Sequence, residues 1–152
     1  MKKILLLLFA VISVVSLHAQ SIDGIYSGTC SNVYMNGKKV QDLSGIQLRI
    51  VNGSRYSLTG TIEFNKGIAY HKITLKDIQF DYDAATSTLS NFTGGGTVVV
   101  KLFNTITVAN KPFEMEGDAS GSINGVQLSL FFHATMPTYN DYDVKFNFTG
   151  NR

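Results

Sequence analysis

Apolar residues recur at every second position through much of this chain, with polar residues in the gaps. Ile46, Leu48 and Ile50 alternate with Gln47 and Arg49, and Tyr56, Leu58, Ile62 and Phe64 keep the same rhythm. Val126, Leu128, Leu130, Phe132 and Ala134 share one phase, and Val144, Phe146 and Phe148 repeat it. A period of two is that of a strand with one buried face. No stretch beyond Ile22 carries the 3.6-residue period of an amphipathic helix. The pattern predicts strands near 24–34, 45–51, 55–64, 68–75, 78–82, 87–92, 97–108, 113–122, 126–135 and 142–150.

Turn signals separate these runs. Asn36-Gly37, Asn52-Gly53 and Asn124-Gly125 are Asn-Gly pairs, which tolerate the positive φ that type I′ hairpins demand. Asn65-Lys66-Gly67 and Asn110-Lys111-Pro112 read as slightly longer turns. Consecutive strands joined in this way make an antiparallel meander.

The phase slips twice. His71, Ile73 and Leu75 are in step, whereas Ile78, Phe80 and Tyr82 are in the opposite step, so a bulge is expected at Lys76-Asp77. The runs on either side of it then form one bent strand, which brings the total to eight or nine. The second slip falls at Leu102-Phe103, beyond which Ile106 and Val108 resume one phase. Asp83 to Ser90 is the least patterned part, and Gly94-Gly95-Gly96 permits a sharp bend. A barrel leaves no exposed sheet edge. The simplest closure pairs Gly24–Thr29 antiparallel with Tyr142–Gly150. The expected fold is therefore an all-β antiparallel meander barrel of about eight to nine strands, closed by its terminal strands.

Residues 1–19 have the layout of a secretory signal peptide: Lys2 and Lys3, an apolar run from Ile4 to Leu17, and Leu17-His18-Ala19 ahead of Gln20. The run is about fourteen residues, short of the ~20 that a spanning helix needs. Cys30 lies too late for a lipid anchor. Removal of 1–19 leaves residues 20–152 as one domain, with no membrane span and a periplasmic or extracellular destination. It also takes two lysines from the 13 Lys+Arg and none from the 11 Asp+Glu, so the remainder is balanced. Nucleic-acid binders carry a basic excess that is missing here. A single Cys forms no internal disulfide, so stability rests on the core.

Candidate chemistry is sparse. Gly94-Gly95-Gly96-Thr97 is followed by valines in a strand rather than by the helix N-terminus of a phosphate cradle. Asp81-Tyr82-Asp83 opens like a calcium loop, but Thr86 and Phe92 stand where its Gly and Glu belong. Glu114, Glu116 and Asp118 line one strand face, which reads first as a solvated exterior, with Phe113 and Met115 inward. His133 alternates with Phe132 and is expected outside. His71 shares the phase of Ile73 and is expected inside, either against a ligand or hydrogen-bonded within the core. Two histidines and one cysteine beyond the leader are too few for a structural zinc site. No nucleophile elbow or zinc-protease motif occurs, so neither an enzyme nor a cofactor is indicated. Asn52, Asn91 and Asn147 match the glycosylation acceptor pattern, although Phe148 reads as core.

What stands out is aromatic content: seven Tyr and ten Phe with no Trp. Small barrels fill their interior with side chains or leave a pocket at one mouth. Tyr26, Tyr56, His71, Phe132 and Phe146, all on inward phases, are the candidate lining of such a pocket.

Gly24-Ile25-Tyr26-Ser27-Gly28, the Tyr56-Ser-Leu-Thr-Gly-Thr run and the terminal Val144-Lys-Phe-Asn-Phe-Thr-Gly resemble the calycin-like domain family of secreted Bacteroidetes proteins. The resemblance covers most of the chain after the leader and implies a lipocalin-related barrel of largely unassigned function. Against lipocalins proper, Tyr26 replaces the Trp of the Gly-X-Trp signature and no C-terminal helix follows. The helical pair of fatty-acid-binding proteins is missing, as are the several Trp of avidin-type barrels.

Two functional readings follow. The first is an exported binding module holding a small hydrophobic or amphipathic molecule at a barrel mouth. The second is a protein-interaction or inhibitor module with a solid core, for which Phe131 and the Tyr139–Tyr142 loop supply exposed aromatics. A pocket below ~300 Å³ favours the second reading.

Overall fold

The structure, a computed structural model, describes residues 21–115, 119–136 and 142–152. The expected signal peptide, Glu116, Asp118 and residues 137–141 lie outside the described residues. Among the described residues all regular structure is β: β1 (Gly24–Met35), β2 (Lys38–Lys39), β3 (Leu43–Val51), β4 (Tyr56–Lys66), β5 (Ala69–Asp83), β6 (Thr88–Leu102), β7 (Ile106–Glu114), β8 (Ser120–Asn124), β9 (Gln127–Met136) and β10 (Tyr142–Asn151). The sheet runs β10-β1-β3-β4-β5-β6-β7-β9, and β9 pairs again with β10, so those eight strands close a ring. β2 extends β1 as a hairpin, and β8 bridges β9 to the start of β6. Every pairing is antiparallel. The all-β barrel expected from the alternation is the observed fold.

The closing seam is the expected one, with β1 and β10 paired from Ser27↔Asn151 to Met35↔Val144. Gly28 faces Gly150 across it. A Cβ on Gly28 would lie 2.0 Å from the Thr149 carbonyl oxygen, so only glycine lets the strands come this close. The interior follows the alternation: Leu128, Leu130, Phe132, Val144, Phe146 and Phe148 are all buried.

The bulge at Lys76-Asp77 is present, with Asp77 at φ 52° and both residues exposed, and β5 continues through it as one bent strand. Opposite it, β6 bends at Gly94, whose φ is 97°. The register jumps from Lys76↔Gly95 to Gln79↔Thr93, so both strands turn the same barrel corner. The sharp bend expected at the three glycines is thus present, while β6 continues through it as one strand in place of the separate runs 87–92 and 97–108. Cβ atoms on Gly95 and Gly96 would meet the Phe113 and Thr74 carbonyl oxygens at 1.9 Å, and that close approach is what the glycines permit.

Four expectations need correction. The run 97–108 is not one strand: Phe103 and Asn104 both take positive φ, and the chain turns between β6 and β7. As a result Ile106 and Val108 point outward, at 58% and 43% exposure, and Ala109 and Phe113 are the buried residues of β7. Asn110-Lys111-Pro112 is not a turn but part of β7, paired to Val99, Val98 and Thr97. Of the three Asn-Gly pairs, only Asn36-Gly37 has positive φ at both residues. At the third, Gly125-Val126 makes the turn with positive φ at Gly125 alone, the type II′ pattern, which leaves Val126 exposed.

Candidate functional site

Four of the five inward candidates, Tyr56, His71, Phe132 and Phe146, enter ring contacts, and the fifth, Tyr26, is held by a hydrogen bond. Phe132 stacks on Phe146 with centroids 4.8 Å apart, and Phe113 meets Phe132 edge-on at 6.1 Å. Both Phe132 and Phe146 are essentially inaccessible. Their backbones are register partners on β9 and β10, and cross-strand aromatic pairs of this kind tie a sheet together. His71 lies parallel to Phe64 at 5.0 Å and is 4% exposed. Burial, reinforced by the nearby Lys66 charge, holds its pKa below the usual value, so the imidazole sits in the core as the neutral form.

Tyr26 and Tyr56 mark one end of the barrel. The Tyr26 hydroxyl donates to the Ile22 carbonyl at 2.7 Å, and Ile22 is itself buried, so the segment ahead of β1 packs across this mouth. Burial pushes the phenol's pKa up. Tyr56 stacks on Phe80 at 5.8 Å and takes the edge of Tyr82 at 6.1 Å. Together with Arg55 and Asp81 these rings border a cleft of about 220 Å³. Arg55 holds Asp81 through Nε at 2.9 Å and also donates to the Asn91 carbonyl and the Thr93 hydroxyl. Asn91, donating to the Asp81 carboxylate at 2.8 Å, and Arg55 together keep the Asp81 pKa below the ordinary carboxylate value. Asp81 and Asp83, which only open like a calcium loop, are engaged locally: Asp81 with Arg55 and Asn91, and Asp83 as acceptor of the Ala85 amide.

His133 is half-buried on the outer side of β9, 2.7 Å from Asp143 on β10. Cys30 is buried on β1, and its thiol pKa is pushed up to about 12 by desolvation, which makes it inert at neutral pH. Among the described residues no group of three or more His, Cys, Asp or Glu is placed to hold a metal ion. No described helix is long and apolar enough to cross a membrane.

A larger hollow, about 440 Å³, lies on the outside of the wall. It is bordered by Ser120 and Ser122 of β8, Ser129 and Phe131 of β9, and Asn147 and Thr149 of β10. Sequence reading singled out Phe131 but not the hollow. The signal was present, because the outward phases of four strands carry Ser27, Thr29 and Ser31; Ser120, Ser122 and Asn124; Gln127 and Ser129; Asn147, Thr149 and Asn151. Only the register shows that they are neighbours.

A further hollow of about 300 Å³ is bordered by Asn65, Tyr70, Lys101 and Asn104. No family model, curated protein or solved structure matches this chain.

Proposed function

We propose that this protein is an exported, non-catalytic binding module that engages its ligand with the outside of the barrel, not with its lumen. The observation that carries the reading is the Phe132–Phe146 stack with Phe113 against its edge. Two of the rings expected to line a pocket, Phe132 and Phe146, pack on one another, which supports an interior filled with side chains, as in many small closed barrels. The mouth cleft, at about 220 Å³, is smaller than the ~300 Å³ at which ligand pockets usually begin. The exterior hollow, at about 440 Å³, falls within the usual range. Export rests on the layout of residues 1–19, and kinship with the calycin-like family rests on the strand patterns quoted above.

Hydrogen exchange of the intact protein, with and without an extract of its own extracellular or periplasmic compartment, tests this reading. Protection is expected on β8, β9 and β10, with the Tyr56–Tyr82 mouth unchanged. An apolar small molecule that copurifies with the protein, and is lost when Phe132 or Tyr56 is changed, would overturn it in favour of a lumen site.

A further inference from the structure

The outer face around the hollow is organised in rows across the strands. One row runs Thr88–Ser122–Ser129–Thr149–Thr29–Ser44 through β6, β8, β9, β10, β1 and β3. A second runs Asn124–Gln127–Asn151–Ser27–Gln47, and a third runs Ser120–Phe131–Asn147–Ser31. These three contiguous rows hold no ionisable side chain. Charge resumes just outside them, at His133 and Lys145 on one side and at Arg49 on the other.

We propose that this face binds a neutral polyhydroxylated ligand, a glycan, with Phe131 as the ring on which a sugar packs. The inference rests on the reading that the barrel binds with its exterior, and it names the ligand class. Serine, threonine, asparagine and glutamine each offer both donors and acceptors, whereas lysine and arginine only donate and carboxylates only accept. A sugar hydroxyl also both donates and accepts. A surface whose polar side chains are all dual-function therefore matches it without the desolvation cost of a buried charge. The rows set these groups on a grid of roughly 4.8 Å between strands and ~6.8 Å along them, the scale of a sugar residue. At 38% exposure on the rim of the hollow, Phe131 offers an apolar ring face for the C–H side of a pyranose. A protein partner fits less well. Its binding energy would concentrate in Trp, Tyr and Arg anchors, and the three rows contain none.

The test is affinity electrophoresis and calorimetry of the full exported protein. The probes are neutral oligosaccharides covering the common hexose, pentose and N-acetylhexosamine linkages, with heparin fragments as the charged control. At least one neutral glycan is expected to bind, insensitively to salt, since no ion pair is involved. Phe131→Ala should weaken that binding roughly tenfold. Ser129→Glu should abolish it with the melting temperature unchanged, while Lys72→Thr on the far side should leave it intact. Binding to no neutral glycan, salt-sensitive binding to heparin alone, or neutral-glycan binding indifferent to Phe131→Ala would each overturn the proposal. The broader reading fails separately: if exchange protection appears on β8–β10 while every neutral glycan is refused, the exterior site stands and the ligand class is wrong.

Discussion

On β4, β5 and β6 the outward positions carry Glu63 and Lys72, paired at 3.1 Å, Tyr70 and Lys101 one row away, and the Arg55–Asp81 pair at the end of the barrel. Over three rows of β8, β9, β10 and β1 the same kind of position carries Ser, Thr, Asn and Gln with Phe131 among them, and charge returns beyond these rows at His133, Asp143 and Lys145. Hydroxyl rows are not themselves the difference, because Thr61, Thr74 and Thr97 also align across β4, β5 and β6. There a charged row follows at once, whereas three neutral rows lie side by side on the other wall. The two walls share one interior and one backbone plan. The fold thus dictates which side a residue faces and leaves the chemistry of the exterior free, so an uncharged expanse this wide calls for a cause other than folding.

Both walls depend on the same alternation, and a charge on an inward position violates it most severely. Phe146→Asp removes about 1.5–3 kcal/mol of apolar burial and strands a charge in the core, so the chain should not fold. Lys145→Asp, the next residue on the outer side, should leave a cooperative transition at nearly the wild-type temperature. Thermal melts followed by circular dichroism decide it, and equal behaviour of the two variants would refute the alternation. Second in size is the seam. Gly28→Val forces a side chain into the Thr149 carbonyl and should cost roughly 1–3 kcal/mol or more. Gly37→Asn, at an open turn that tolerates the left-handed region, should cost little. Urea midpoints of the two report whether close strand approach holds the barrel shut.

How much of this was legible in the sequence follows from the range of the interactions involved. The bulge at Lys76-Asp77 could be placed because a phase reversal is a local count. The β1–β10 closure could be placed because both strands announce an inward face. The β6–β7 turn showed only as the phase slip at Leu102-Phe103: positive φ is uncommon for a bulky residue such as Phe103, which adopts it where the chain reverses. Pro112 suggested a break by local chemistry, yet it sits in β7 opposite Thr97 of β6. The candidate lining residues were assigned the correct side of the wall, but phase does not say whether inward rings meet a ligand or one another. The neutral face was invisible for a simpler reason. It exists only across strands, where Ser129 meets Thr149 and Thr149 meets Thr29, and those pairings join residues distant in the chain.

Acid should separate interior from exterior. His71 has a depressed folded pKa, so the unfolded chain takes up a proton first and stability rises with pH in that interval. Its contribution is complete above about pH 6.5, the ordinary histidine value, and is lost as pH falls below that toward the folded pKa. His71→Gln should flatten the melting curve there. Asp81 also has a depressed pKa, so its contribution is present above about pH 3.8 and lost as pH falls through the lower folded value. The Asp81→Asn variant should differ from wild type only above that range, and less so in salt because the pair is exposed. A single acid step, unchanged by His71→Gln, would mean the buried imidazole is not titrating against the fold.

The smallest expected effect bears most directly on the two walls. Thr149→Lys puts a charge in the middle of the neutral rows, and Lys72→Thr removes one from the charged wall along with its contact to Glu63. Cross-strand hydroxyl pairs and exposed ion pairs are each worth at most about 1 kcal/mol. Both substitutions should therefore shift stability by no more than ~0.5 kcal/mol, the usual range for surface changes. If so, the barrel accepts either dressing on either wall, and the neutrality around Phe131 is not a requirement of folding. If Thr149→Lys instead costs well over 1 kcal/mol, the Ser129–Thr149–Thr29 row is structural glue for the seam, and the case for a ligand on that face loses its main support. Paired urea titrations at low and high salt distinguish the two, because a penalty from charge crowding is screened by salt and a broken hydroxyl row is not.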